Sequence, residues 1–154
     1  MQLESSVFVS RPSDEVWAYL GDVSNVAAWD RGVSRTETIS GTPSGAGFEF
    51  NTFAHGGGAS ADGAWGKMSY RVTETDPVRG CMVQLTSSTG YARYFKSAEW
   101  RFRVETEPGG SRIFCAAVFS LKWRYLILAP VFFIMRKAIR SDLEQLKKVI
   151  EETA

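Results

Sequence analysis

The stretch YLILAPVFFIMRKAIRSDLEQLKKVIE, Tyr125–Glu151, opens as an apolar run and closes as an amphipathic helix. Eleven residues from Tyr125 to Met135 are apolar, with Pro130 in their middle. Spanning a bilayer takes about 18–20 such residues, and here Arg124 precedes the run and Arg136-Lys137 follow it. The run is too short to span, although it is compatible with peripheral contact at a lipid surface. From Val131 an apolar stripe recurs at spacings of four and three through Met135, Ile139, Leu143, Leu146 and Ile150. That is the spacing of one helix face. Arg140, Glu144, Lys147, Lys148 and Glu151 are expected to face water. Pro130 suits a first turn, so the pattern predicts a helix from about Pro130 to Glu152, roughly 33 Å long.

A helix of that length needs an apolar surface to lie on, and the rest of the chain reads as a sheet. LESSVFVS, Leu3–Ser10, alternates apolar and polar residues and predicts an opening strand. RPSDEVWAYLGD then starts a helix, with Ser13 as N-cap, Asp14 and Glu15 at the positive end, and Val16, Trp17 and Leu20 on one face. Gly21 ends it, and a second helical turn covers Val23 to Trp29. Strands and turns alternate after that. SRTETIS, FEFNTFA, AWGKMSYRVTET, CMVQLTSS, FKSAEWRFRVETE and SRIFCAAVFSLKW are separated by turn segments rich in Gly and Pro. Two short helices cannot cover such a sheet, but a long terminal helix can. The expected class is α+β, an antiparallel sheet of six or seven strands wrapped around its last helix, in a single domain covering residues 1–154.

Composition limits the function. A chain of 154 residues can bury a core without staples. A net charge of +1 gives no electrostatic reason to expect nucleic acid or an acidic membrane as the main partner. Cys81 and Cys115 are far apart and in no metal or redox spacing. Both are expected as buried small hydrophobes, and without a secretory signal the expected location is the reducing cytoplasm.

The order of strand, P-x-DEVWAYLGDVSNVAAW, strand meander and LKWRYLILAPVFFIMRKAIRSDLEQLKKVIE resembles the START/Bet v 1-like superfamily. Within it, the polyketide cyclase/dehydrase-type proteins are most similar. The resemblance covers almost the whole chain. It implies a helix-grip fold and a deep cavity between sheet and long helix that takes hydrophobic or amphipathic small molecules.

Few residues offer chemistry. The one histidine, His55, heads the Gly-rich stretch HGGGASADG, which lacks the lysine and serine of a phosphate loop and reads as a hairpin tip placed to gate the cavity mouth. No metal set or nucleophile elbow exists, so no metal or cofactor is expected. In AWGKMSYRV, period two puts Met68, Tyr70 and Val72 on one face and Lys67, Ser69 and Arg71 on the other. The resemblance implies that Arg71, in its S-x-R-V setting, projects into the cavity and steadies an enolate. The plain alternative is an exposed strand arginine with a cross-strand carboxylate partner. Two departures weigh against the cyclase role. No tyrosine follows Trp29 in DRGVSRTET, and Asp142 replaces an asparagine of the long helix. Asp142 could pair with Arg71 or face solvent.

Expected ligand contacts are Trp29 from the short helices, Phe48 and Phe50 from FEFNTFA, and Met68 and Tyr70 from the following strand. Leu85, Tyr94, Trp100 and Phe102 continue the sheet side. Phe132, Met135 and Ile139 supply the helix side, and Phe132, Phe133 and Ile134 are expected to roof the pocket or close against the short helices. SRIFCAAVFS is apolar on both faces, so each side of that strand should be covered. Three functions follow: binding of an apolar small molecule, a polyketide aromatase/cyclase built on Arg71, or a lipid-handling protein that meets a membrane or partner. Either a monomer or a homodimer suits all three.

Overall fold

The computed structural model describes residues 1–55, 66–76, 78, 80–88 and 94–153. Strand β1 (Gln2–Val9) leads into α1 (Ser13–Leu20), a 3-10 turn (Val23–Asn25) and the one-turn helix α2 (Val26–Trp29). Strands β2 (Val33–Ser40), β3 (Glu49–Ala54), β4 (Lys67–Asp76), β5 (Gly80–Ser88), β6 (Phe95–Glu107) and β7 (Gly110–Leu121) follow. A 3-10 segment (Trp123–Val131) leads into α3 (Phe132–Thr153). The seven strands form one antiparallel sheet in the order β1-β7-β6-β5-β4-β3-β2. The predicted α+β helix-grip architecture is the one found.

Local chemistry accounts for most element ends. α1 begins at Ser13 with Asp14 and Glu15 in its first turn, but Pro12 holds the cap position and no side chain caps it. Ser13 is not the N-cap, because its hydroxyl bonds Thr106 Oγ1 at 2.9 Å and ties α1 to β6. The long helix also starts later than Pro130 implied. Pro130 sits inside the 3-10 segment, and regular α geometry begins at Phe132.

The concave face of the sheet is filled along β7 by Ile113, Cys115, Ala117 and Phe119, and the α3 stripe Phe132, Ile139, Leu143, Leu146 and Ile150 packs into the same core. Val131 does not begin this stripe; it is exposed, and Phe132 takes that place. At its far end α3 is anchored to the β1–α1 junction. Glu151 Oε1 accepts the Ser10 N–H at 2.8 Å, and Arg11 donates to the Glu151 carbonyl at 3.0 Å. Glu151, half exposed, thus holds the helix down while still meeting water. On the convex face no second layer covers β7 among the described residues. Long arginine side chains lie over rings on that side, Arg103 over Phe114 of β7 at 5.0 Å and Arg112 over Phe8 of β1 at 6.0 Å.

Gly80, at the start of β5, has φ +125°, and a Cβ there would lie 1.8 Å from the Phe102 carbonyl oxygen. Neither the backbone nor the space admits a side chain. Gly80→Ala is therefore expected to destabilise by more than about 3 kcal/mol. The readout is the midpoint of urea unfolding. A change below about 0.5 kcal/mol would mean that β5 and β6 part there without strain.

Candidate functional site

A candidate site lies where α2 and α3 meet above the sheet. α2 ends at Trp29, and Asp30 breaks it with extended backbone (φ −80°, ψ 111°). One carboxylate oxygen of Asp30 accepts the Gly32 N–H at 2.8 Å, which bends the chain toward β2. The next residue, Arg31, donates its backbone N–H to Asp142 Oδ1 on α3 at 3.2 Å. Two carboxylates from distant parts of the chain therefore meet.

They meet at a cavity of about 90 Å³. Trp29, Phe50, Tyr70, Trp100, Phe102 and Ile139 line it, joined by aliphatic neighbours such as Val83 and Leu143. Trp29 and Phe102 stand edge to face with centroids 5.9 Å apart, and Phe50 stacks on Tyr70 at 5.6 Å. No Lys or Arg lines the space among the described residues, while Asp30 and Asp142 both do. The Tyr70 hydroxyl bonds Trp100 and donates to Met68 Sδ at 3.5 Å.

The electrostatics follow from this setting. Burial, then the charge of Asp142, pushes the Asp30 carboxyl up to about 6, although the Gly32 N–H and His55 pull the other way. Burial also raises Asp142, opposed by the backbone N–H and charge of Arg31. Tyr70 is held well above the ordinary tyrosine value, first by burial and then by the charge of Asp30. Cys81 and Cys115 are buried thiols pushed up to about 12 by burial, so neither is a ready nucleophile. The arrangement can hold an apolar body, accept hydrogen bonds or a positive charge at one end, and exchange a proton there near neutral pH.

A family model described as polyketide cyclase / dehydrase and lipid transport matches residues 1–151. The chain belongs to this family. The fold is shared with the Zhui aromatase/cyclase from Streptomyces sp. R1128 (TM-score 0.75, 16% identity, 99% of this chain and 94% of that one). It is shared too with truncated norcoclaurine synthase from Thalictrum flavum (TM-score 0.72, 13% identity, 99% and 94%). Ara h 8.0201 gives a TM-score of 0.72 at 14% identity over 99% and 98% of the two chains. Such identities speak for the fold alone. No curated protein matches the sequence significantly.

The family framework bears on each expected site residue. Trp29, Phe50, Tyr70, Trp100, Phe102 and Ile139 come together around the cavity. Phe48 is fully buried beneath Phe50, and Met68 and Leu85 pack against the core without lining the space. Tyr94 and Phe132 belong to an aromatic cluster with Phe95 and Phe119, at centroid separations of 4.5 to 6.0 Å. Phe132 therefore fills core and does not roof the pocket. Met135 flanks the same core, and Phe133 and Ile134 point to solvent.

Arg71 is placed outside the cavity. Its guanidinium bonds Glu49 Oε1, with the Nε contact at 2.8 Å, directly across the β3–β4 pair, and its side chain is 54% exposed. The reason is the strand alternation, which turns Tyr70 and Val72 inward and Arg71 outward. Asp142 neither pairs with Arg71 nor lies free in solvent. The Gly-rich stretch 56–63 and the turn at 89–93 lie outside the described residues.

Nothing in the local sequence marks Asp30, since an Asp two residues before a Gly is ordinary turn chemistry. For Asp142 a signal was present. It lies three residues after Ile139 and four before Leu146, on the edge of the buried stripe. A carboxylate at such a position signals either a partner or a use.

Proposed function

We propose that the protein binds a compact, mainly apolar organic molecule in the cavity between α2, α3 and the sheet. The ligand places a cationic or hydrogen-bond-donating end against Asp30 and Asp142. The observation that carries this reading is an aromatic cavity whose only charged lining residues, among those described, are two carboxylates. Membership of a family of polyketide cyclases, dehydrases and lipid transport proteins supports a hydrophobic ligand. Size favours a compact one. A cavity of about 90 Å³ is smaller than the ~150 Å³ apolar cavity that accepts benzene, so even a single ring must part the lining. An extended polyketide chain would need several hundred Å³.

Cyclase or dehydrase chemistry is the second reading, and Asp30 favours it over Arg71. A carboxyl pushed up to about 6 inside an apolar cavity suits proton transfer to or from a ligand oxygen near neutral pH.

The test is a chemical-shift titration with benzylamine, benzyl alcohol and benzoate, three ligands of one shape and different charge. Benzylamine is expected to bind at least about tenfold tighter than benzoate, with affinity rising as pH passes through 6 and Asp30 ionises. Asp30→Asn should remove most of that preference. Benzoate binding as tightly as benzylamine, or no shifts at Trp29 or Trp100 with any of the three, would overturn the proposal.

A further inference from the structure

Phe132 and Met135 of the apolar run Tyr125–Met135 pack into the core and Tyr125 meets Tyr94, but most of its other large side chains are exposed. No residue of the 3-10 segment Trp123–Val131 is buried. Trp123 is 84% exposed, Ile127 85%, Phe133 77% and Ile134 67%. Leu126 and Val131 are exposed beside them. Such a cluster of large apolar side chains exceeds the scattered hydrophobes of an ordinary surface. At 100° per residue, Phe133 and Ile134 straddle the side of α3 opposite its buried stripe, with Lys137 between them. They cannot reach the core without unpacking Phe132.

Charge identifies the surface that fits. Positions 108–141 contain no Asp or Glu, whereas Lys122, Arg124, Arg136, Lys137 and Arg140 border the apolar cluster. None of these five is ion-paired among the described residues. No described helix is long and apolar enough to cross a membrane. Aromatic and aliphatic tips surrounded by cations match the interface of an anionic bilayer, where rings sit at headgroup depth and Lys and Arg meet lipid phosphates. A second copy fits poorly, because a two-fold dimer through this patch would set its five cations against the same five.

We infer that Trp123–Val131 and the first turns of α3 form a docking surface for an anionic membrane. Trp123, Ile127, Phe133 and Ile134 insert at headgroup depth while the flanking cations engage the lipid charge. α3 then links the two sites, since its start lies on the membrane and its middle, at Ile139, Asp142 and Leu143, lines the ligand cavity.

Vesicle co-sedimentation tests this with the full chain, using phosphatidylcholine alone and phosphatidylcholine with about 30% phosphatidylserine. Binding to the anionic vesicles is expected to be at least about tenfold stronger and to weaken as salt is raised. The double variant Ile127→Glu, Phe133→Glu should lose at least about tenfold of it while keeping the parent melting temperature, because both side chains are exposed. Arg136→Glu with Lys137→Glu should lower binding to the anionic vesicles only. Absence of binding to either vesicle would overturn the inference. So would equal binding to both, unchanged binding by the variants, or a concentration-dependent dimer in sedimentation analysis that Phe133→Glu dissolves. The cavity proposal stands or falls separately, on the ligand titration.

Discussion

Asp30→Asn is expected to raise stability at pH 7 by about 2–3 kcal/mol. The carboxyl of Asp30 is pushed from 3.8 to about 6 by burial and by Asp142, a rise of about two pH units at 1.36 kcal/mol each. Because the folded-state pKa is the higher one, the folded protein holds this proton more tightly than the unfolded chain. Stability from this group is therefore full below about pH 4, declines as pH rises through 6, and stays reduced above that. Asparagine keeps an oxygen for the Gly32 N–H and carries no charge, so it removes the penalty. Urea unfolding of both proteins from pH 4 to pH 8 would show the gap opening between those values. A gap independent of pH would mean that Asp30 is not desolvated as the geometry requires. The gain in stability should coincide with lost preference for benzylamine. A residue that weakens the fold and strengthens binding is what a functional site leads one to expect.

Leu143→Ala and Leu146→Ala form the second decisive pair. Both side chains are essentially fully buried on the α3 stripe, and each truncation is expected to cost about 2–5 kcal/mol. Only Leu143 also lines the cavity. Its truncation should therefore enlarge the binding space and allow larger ligands such as naphthyl amines, whereas Leu146→Ala should leave ligand size unchanged. Calorimetric melting gives the stability change, and the same titration gives the size preference. Equal ligand preferences in the two variants would separate the cavity from the binding site.

The seven-stranded sheet was legible because β-strand alternation and Gly/Pro punctuation are local signals. In FKSAEWRFRVETE, Ala98, Trp100, Phe102 and Val104 share a face by period two, and that face is the inward one. The same rule separated Tyr70 from Arg71. Period two leaves open which of those faces turns inward; the family resemblance implies an inward Arg71, and the packing of Tyr70 and Val72 into the core turns Arg71 outward. The aromatic residues divided less predictably. Phe50 and Phe102 reach open space, while Phe48 and Phe132, equally apolar and also inward, meet other rings and pack solid.

Sequence alone determined which residues share a face of each strand, that a long amphipathic helix closes the chain, and that eleven apolar residues near Pro130 are too few to span a bilayer. Those properties depend on neighbours within a few positions along the chain. Only the tertiary structure decided where inward residues leave a void, that Asp30 and Asp142 share it, and that Phe133 and Ile134 face away from it. The void exists because α2 and α3 cross the sheet without closing on it. The carboxylates meet because Arg31, 111 positions from Asp142, docks its amide there. Distances between segments so far apart in the chain follow from packing, which no local pattern encodes.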